Sequence, residues 1–347
     1  MTRATPPTLT TRQLNRAVLA RQLLLQRSRL TLNQVLEQMA GLQAQYAPSM
    51  YIGLWSRMSG FQRALLTTAL EKRQVVQGTM MRATIHLVTA ADYWPLTVAI
   101  RQSRREWWIR ATRGAVDPTE MEVVAVEVGE FLADGPRKRT EVEALVGKEK
   151  ANAVGLWIDL VRAPPSGTWE RRRADLLASA SQWLESVDVP LDKARQHIVR
   201  RYLTGFGPAT PSEIANWAGL ATGDITSAIA GLRLRHFLSE DGTELVDLPQ
   251  APLPDADTQA PVRFLPTWDA SLLVHCRRAR IIPEEFRSHI FNTKMPQSVG
   301  TFLVDGAVAG TWRLEGERVR TDYFEPVPGT WHREVERESE ALARFYA

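Results

Sequence analysis

The sequence predicts an α+β protein with three tandem winged-helix modules and a C-terminal β-rich, barrel-like domain. Helical patterns followed by short strand patterns recur three times before residue 250. A proline-rich segment, Pro249 to Pro261, follows, and beyond it short apolar runs alternate with Asp-Gly and Glu-Gly turns. A chain of 347 residues is long enough for several hydrophobic cores. The predicted domains are 1–113, 114–188, 189–250 and 251–347.

The first predicted module contains three helices and a two-stranded ribbon. Thr11 is the predicted cap of the first helix, and Thr31 with Gln34 forms a capping-box pattern that opens the second. The ribbon follows from two short runs rich in β-branched residues, as expected for the wing of a winged helix. The predicted helices span 11–28, 31–42 and 61–73, and the predicted strands span 75–78 and 84–88.

The same order recurs twice. In the second round Thr140 and Glu143 predict a capping box, and in the third Thr210-Pro211 predicts a helix start. The second-round elements are helices at 119–132, from 139 and at 152–160, and a wing at 168–178. The third-round elements are helices at 192–203, from 210 and at 222–232, and a hairpin at 236–248 that turns at Asp241-Gly242. Strands are predicted within 263–283 and 300–320, and a final helix at 331–346.

Composition excludes several classes of protein. The chain is 44% hydrophobic and 24% charged, and no apolar run approaches the ~20 residues that a membrane helix needs. The N-terminus lacks the apolar core of a signal peptide, so we expect a cytoplasmic protein. The single Cys276 excludes an internal disulfide and a cysteine zinc cluster. The six histidines show no ligand spacing and no Walker-type loop is present, so we expect no metal, cofactor or bound nucleotide.

Positive charge is concentrated near the N-terminus. Residues 1–113 contain 16 Lys and Arg against four acids, a net charge of +12, whereas residues 114–347 carry −8. A basic region of this size indicates a polyanion as partner, and a solvated surface is the alternative interpretation. Arginine accounts for 37 of the 43 basic residues, and its guanidinium suits bidentate phosphate contacts, although genome composition contributes to that excess.

The segment Gly41 to Trp55 contains the candidate catalytic residues, Gln43 and Gln45. On a helix these two residues would lie about 200° apart, since each residue turns roughly 100°. Pro48 disfavours helical geometry at Ala47, which predicts that the preceding helix ends here. In an extended segment the two amides point the same way and can hold one water or one substrate edge. By the pattern alone, two solvated glutamines at a helix end are the alternative.

Three segments of the chain resemble one known family. Leu14 to Trp55, Arg82 to Tyr93 and the Trp-Asp-x-x-Leu-Leu-x-His run that starts at Trp268 are similar to the tandem winged-helix DNA glycosylases of the AlkZ and YcaQ type. That family removes bulky alkylated bases and unhooks crosslinks. Its AlkZ-like branch has a catalytic Gln-apolar-Gln motif, which falls here on Gln43-Ala44-Gln45. The YcaQ-like branch has Asp at the second position, so this chain resembles the first branch.

The resemblance implies a monofunctional glycosylase without a cofactor. Its partner would be double-stranded DNA bearing alkylated purines such as N7-alkylguanine, including interstrand crosslinks or natural-product adducts, in self-resistance or repair. The family also implies recognition without base flipping. We expect a monomer that is nucleoid-associated when bound to DNA. The alternative is a non-catalytic winged-helix protein, either a transcription regulator or a lesion-sequestering resistance factor.

Basic residues near the predicted wings are the candidate DNA contacts, since such contacts hold the backbone without reading sequence. For the run on a C-terminal strand edge, solvated surface is the alternative. A lone histidine on a strand, His86, is interpreted as structural, and the eleven tryptophans as core. The candidate DNA-binding residues are Arg57, Arg82, Arg171, Arg172, Arg173, His275 and Arg278.

Overall fold

A computed structural model describes residues 5–114, 117–273, 278–291 and 299–347. Helices and β-strands are mixed along the chain, which confirms the α+β class. No helix within these ranges combines the length and the apolar character needed to cross a membrane.

Local signals in the sequence fix several helix starts in the first 114 residues. The Thr31 side chain accepts a hydrogen bond from the Gln34 N–H, and the Gln34 side chain accepts from the Thr31 N–H, as predicted. The first helix is capped by Thr10 instead of Thr11, and it ends at Arg21 because Leu23 has a left-handed φ of 56°. The elements here are β1 (Thr8–Leu9), α1 (Thr11–Arg21), α2 (Leu32–Gln38), β2 (Leu42–Gln43), α3 (Ala47–Arg57), α4 (Arg63–Glu71), β3 (Val75–Thr79), β4 (Ile85–Thr89) and α5 (Ala90–Ala111).

Residues 117–250 follow the predicted order with three corrections. The predicted helix at 152–160 is wrong, because the α-helix ends at Ala153, a 3-10 turn follows it, and Leu160 starts a strand. The predicted Thr140 cap is wrong: the Lys138 N–H donates to Glu141 Oε2 at 2.7 Å, so the helix starts at Arg139. The predicted wing at 168–178 contains only one strand, and the other lies before it. The elements are α6 (Pro118–Phe131), β5 (Arg137–Lys138), α7 (Arg139–Val146), α8 (Lys148–Ala153), β6 (Leu160–Arg162), β7 (Leu176–Ser179), α9 (Ala180–Trp183), α10 (Leu191–Phe206), α11 (Pro211–Ala218), α12 (Thr222–Ala230), β8 (Arg235–Ser239) and β9 (Glu244–Asp247).

The C-terminal part contains an antiparallel meander in the order β10-β11-β12-β13. In the described ranges β10 and β13 are its two edges, so the predicted barrel is replaced by an open sheet. Hairpin turns at Asp305-Gly306 and Glu315-Gly316 agree with the sequence. The elements are β10 (Arg263–Leu265), α13 (Arg287–Ile290), β11 (Gly300–Val304), β12 (Ala307–Glu315), β13 (Arg318–Tyr323) and α14 (Gly329–Tyr346).

Sheets and cores cross the predicted domain boundaries. Strands from residues 1–113 and 114–188 form one six-stranded sheet in the order β2-β4-β3-β6-β7-β5, joined where Gln77 pairs with Arg162. Strand β1 pairs in parallel with β8, which ties the N-terminus to the third predicted module. The C-terminal helix α14 packs Val335 and Leu342 into a cluster shared with α3 and β10. The domain limits themselves stay a prediction.

Candidate functional site

The side chains of Gln43 and Gln45 converge, as predicted for an extended segment. Gln43 ends β2 opposite His86 on β4, and the Ala44 N–H donates to Ile85 O at 2.7 Å. Gln43 Nε2 then donates directly to Gln45 Oε1. The chain enters this segment through Gly41 at φ 79°, where a Cβ would lie 2.9 Å from Leu87 O, so glycine is required.

The predicted reason for this geometry needs a correction at Pro48. Helix α2 ends at Gln38, well before the glutamines, and left-handed residues at Ala40 and Gly41 reverse the chain. Pro48 lies in the first turn of α3, which includes Ala47, so the proline starts the next helix and does not terminate the previous one. Proline is favoured in a first helical turn because its missing N–H has no helical partner there.

The two amides extend from the protein interior to its surface. Gln43 is only 6% exposed, and its buried Oε1 has no hydrogen-bond partner among the described residues, whereas Gln45 is exposed. Buried polar atoms are nearly always hydrogen-bonded, so an unpaired acceptor beside an exposed amide can accept from a bound water or ligand.

Gln45 lines a cleft of about 270 Å³. The walls come from the turn between β3 and β4, from α5, and from the segment around α8 and β6. The cleft therefore lies between the first and second predicted modules. In the described part of the chain, none of its lining residues is a carboxylate. They are Gln45, Thr79, Ala83, Thr84, Ile85, Trp108, Asn152, Gly155, Leu156 and Arg162.

The β3–β4 turn beside the cleft has a strained backbone. Arg82 and Ala83 adopt φ values of 53° and 56°, which cost non-glycine residues about 1–3 kcal/mol each. The Met80 N–H to Thr84 O bond of 2.8 Å closes the turn, and Arg82 Nη1 donates to Trp217 O at 2.7 Å. Ala83 also lines a neighbouring cavity of about 560 Å³. This predicted DNA contact, Arg82, is thus partly buried, lines the larger cavity and is held against the end of α11.

His86 is buried and bonded to the backbone, which agrees with its interpretation as a structural residue. Its side chain is buried, and Nδ1 donates to Thr84 O at 3.0 Å. Burial lowers the pKa of His86 to about 3, with a smaller contribution from Arg82. The imidazole is therefore neutral near pH 7, and it is not a general base poised for proton transfer at that pH.

One of the predicted wing arginines, Arg172, contacts the residue that follows Gln45. Arg171, Arg172 and Arg173 are exposed on the loop between β6 and β7. Arg172 Nη1 donates to the Tyr46 hydroxyl at 3.3 Å, and Tyr46 follows Gln45 directly. The loop therefore brings positive charge to the tyrosine next to Gln45.

Arg57 is not a DNA contact. Its side chain is fully buried, and Nη2 donates to Asp269 Oδ1 at 2.9 Å, with Asp269 equally buried. An arginine enclosed by its own carboxylate cannot reach a phosphate, so this prediction is wrong. Two other predicted contacts stay predictions: His275 lies outside the described residues, and Arg278 is in a short 3-10 turn whose side chain also lies outside them.

Sequence reasoning missed Arg162 and Trp108, which line the same cleft as Gln45. One indication for Arg162 was present in the sequence, because it is a charged residue directly after the apolar pair Leu160-Val161 and therefore a charge on a short strand. Trp108 was assigned to the core. Its neighbour Trp107 is 48% exposed, so the core assignment of that tryptophan is wrong.

Comparison with known proteins identifies the class of enzyme. The family described as "DNA glycosylase AlkZ-like" matches residues 36–345. The chain is therefore a DNA glycosylase, and DNA is its partner. It belongs to the AlkZ-like DNA glycosylase family.

A solved structure is similar over the full length. The DNA glycosylase AlkZ of Streptomyces sahachiroi superposes with a TM-score of 0.81 at 18% identity, over 98% of this chain and 97% of that chain. At this identity the likeness establishes the fold. A search of curated proteins gives no match.

Proposed function

We propose that this glycosylase hydrolyses the N-glycosidic bond of bulky alkylated purines in double-stranded DNA, with Gln43 and Gln45 as the catalytic pair. Its substrates are nucleotides of the N7-alkylguanine type, including interstrand crosslinks and natural-product adducts. The observation that carries the proposal is the direct hydrogen bond between the two amides beside a cleft whose described lining holds no carboxylate.

The chemistry of the lesion explains why amides suffice. An N7-alkylated guanine is cationic, so its glycosidic bond is already weakened and the departing base needs little protonation. The enzyme must then orient a water and stabilise the positive charge that develops on the sugar. Amide dipoles can do both through position and electrostatics, which does not require a strong base. Carboxylate pairs perform the corresponding task in glycosidases.

The product is an abasic site, since a monofunctional mechanism uses water as the nucleophile. None of the described cleft residues is a lysine. Borohydride treatment during turnover should therefore trap no protein–DNA adduct. A covalent adduct that survives denaturing electrophoresis would contradict the monofunctional mechanism without contradicting base excision.

The DNA reaches the site along the arginine loop of the second wing. Arg171, Arg172 and Arg173 contact the backbone, and Arg172 already lies beside Tyr46. We propose that the helices preceding the hairpins β3–β4, β6–β7 and β8–β9 make three winged-helix units in tandem. A single chain with three such units binds DNA as a monomer.

A base-release assay tests the proposal. The enzyme is incubated with a duplex that carries one bulky N7-alkylguanine, and alkali then cleaves the strand at abasic sites. Strand cleavage above a no-enzyme control is expected. Gln43→Ala and Gln45→Ala should each reduce the single-turnover rate by about 10²–10³-fold, the usual loss for one preorganised dipole.

The matched control is Gln62→Ala. Gln62 is exposed at the start of α4 and makes no capping hydrogen bond within the described structure, so its removal should leave the rate unchanged. Unchanged cleavage by the Gln43 and Gln45 variants would refute the assigned residues. Tight binding of the damaged duplex by the unmodified enzyme without base release would refute the proposed substrate.

A further inference from the structure

Arg162 lies on the wall of the cleft that Gln45 also lines. It ends strand β6, opposite Gln77 on β3. Its Nη1 donates to Thr79 Oγ1 at 3.0 Å, but its Nε is buried with no acceptor from the described residues. The guanidinium is therefore held in place by one neutral hydroxyl while part of its hydrogen-bonding capacity is unused.

Arg162 has no carboxylate partner in the described ranges. Burial lowers its pKa to about 10, and Arg139 contributes to the lowering, so the group remains a cation at pH 7. Nearby Arg104 differs, since its Nη2 lies 3.6 Å from Asp159 Oδ1. Arg162 is half-buried on the cleft wall, and a partly desolvated cation without a described counter-ion is unfavourable for folding, which indicates that its charge serves a ligand.

A second unused donor points to the same ligand. Trp108 on α5 lines the cleft, and its buried Nε1 finds no acceptor in the parts of the chain that the structure describes. Two donors without described partners, one of them on a cation, match a ligand that supplies several acceptors and a negative charge. A phosphate oxyanion meets both requirements, since guanidinium binds phosphate oxygens through charge-assisted hydrogen bonds.

We propose that Arg162, assisted by the Trp108 N–H, binds one backbone phosphate of the lesion-bearing strand and so positions the damaged nucleotide against Gln43 and Gln45. This inference rests on the proposed function, since it assigns a substrate contact to the same cleft. Arg162 is a binding residue that stabilises the approach of the sugar to the glutamines, and it takes no part in bond cleavage.

Replacing single phosphates by neutral methylphosphonates tests this contact. Duplexes carry a stable abasic analogue, and each of the flanking phosphates is replaced in turn. For the unmodified enzyme, one of these replacements should raise the dissociation constant by roughly 10- to 100-fold, as expected for the loss of a charge-assisted hydrogen bond. Arg162→Gln should weaken binding to unmodified DNA by a similar factor. Combining the two changes should cost no more than either one alone.

Two outcomes overturn the inference. If the effects of Arg162→Gln and of every methylphosphonate multiply, Arg162 does not bind a flanking phosphate. If Arg162→Gln weakens binding while no methylphosphonate matters, Arg162 contacts a base or sugar. If Arg162→Gln and one methylphosphonate are coupled in the dissociation constant but no base is released, only the proposed function is contradicted. If base is released but the two changes are not coupled, only this inference is contradicted.

Stability separates a ligand-binding role from a structural one. Arg162→Met removes an unpaired cation, so its Tm should equal or exceed that of the unmodified enzyme while affinity falls. A lower Tm would indicate a structural arginine and overturn the inference. The matched control is Arg318→Gln on the exposed strand β13, which should change neither Tm nor affinity.

Discussion

The buried arginines Arg21 and Arg57 differ from Arg162 of the glutamine cleft in their counter-charges. Arg21 and Arg57 are fully buried, and each is paired with an equally buried aspartate, Asp247 or Asp269. In the glutamine cleft, Arg162 has a neutral hydroxyl as its hydrogen-bond partner within the described ranges. The two pairs thus join charges inside the fold, whereas Gln43, Trp108 and Arg162 each keep a polar atom without a described partner in or beside the cleft where a ligand is expected.

Ion pairing also changes the interpretation of the charge on the N-terminal region. Its excess of +12 predicted a surface for a polyanion. Much of that charge is instead balanced within the chain, because N-terminal arginines pair with acids that follow residue 240. These pairs are Arg12 and Arg16 with Asp305, Arg21 with Asp247, Arg27 with Glu338, and Arg57 with Asp269. The asymmetry along the sequence therefore reflects long-range assembly of the fold as well as DNA binding.

The largest expected effect is on a paired arginine. Arg57→Ala leaves Asp269 charged, buried and without its partner, so we expect the free energy of unfolding to fall by about 3–5 kcal/mol. Chemical denaturation measures the decrease. The exposed Arg318→Ala should stay within about 0.5 kcal/mol of the unmodified protein.

A double replacement sharpens that prediction. Arg57→Met with Asp269→Leu removes both charges and should recover most of the stability, because the desolvation cost of the pair disappears with it. If Arg57→Ala alone were as stable as the control variant, the distinction between paired and unpaired arginines would fail.

An intermediate effect on the free energy of unfolding is expected from His86 as pH falls. Its folded pKa of about 3 lies below the usual 6.5, so the unfolded chain binds the extra proton between these values. This residue's stabilising contribution is complete above pH 6.5 and declines as pH decreases toward 3, by at most about 1.4 kcal/mol per pH unit.

Unfolding curves at pH 6.5, 5.5 and 4.5 measure this slope. His86→Gln should show a shallower decline than the unmodified protein, because it has no group that the unfolded chain can protonate in this range. His236→Gln, at an exposed position on β8, serves as the control and should keep the original slope. Equal slopes in all three proteins would show that His86 does not cause the pH dependence.

The smallest expected effect on stability comes from replacing the arginines of the exposed loop between β6 and β7. Replacing Arg171, Arg172 and Arg173 by Gln should leave Tm unchanged, since the ion pair described there is a long one of 3.4 Å between Arg173 and Asp175. Affinity for DNA should weaken, and the salt dependence should become less steep by about 0.9 for each phosphate that the loop no longer neutralises. Titrations at several salt concentrations measure it, and an unchanged slope would remove this loop from the DNA interface.

Patterns of a few residues were the most reliable guide to this fold. The Thr31 capping box, the helix start at Thr210-Pro211 and the Asp241-Gly242 hairpin turn occur as predicted, because each depends on residues within one turn of chain. The convergence of Gln43 and Gln45 was also predictable, since an extended backbone aligns alternate side chains. The role predicted for Pro48 was wrong. A proline is unfavourable inside a helix but favourable in its first turn, and Pro48 lies in the first turn of α3.

The sequence by itself determined the α+β class, most helix starts and the glutamine pair, since these follow from local backbone preferences. Only the tertiary structure decided which arginines are available to contact a ligand. Arg57 and Arg162 look equivalent in sequence, but one meets Asp269 across 212 residues and the other meets a neutral Thr79. Charge and burial depend on partners that folding brings from distant parts of the chain, and no local pattern encodes them.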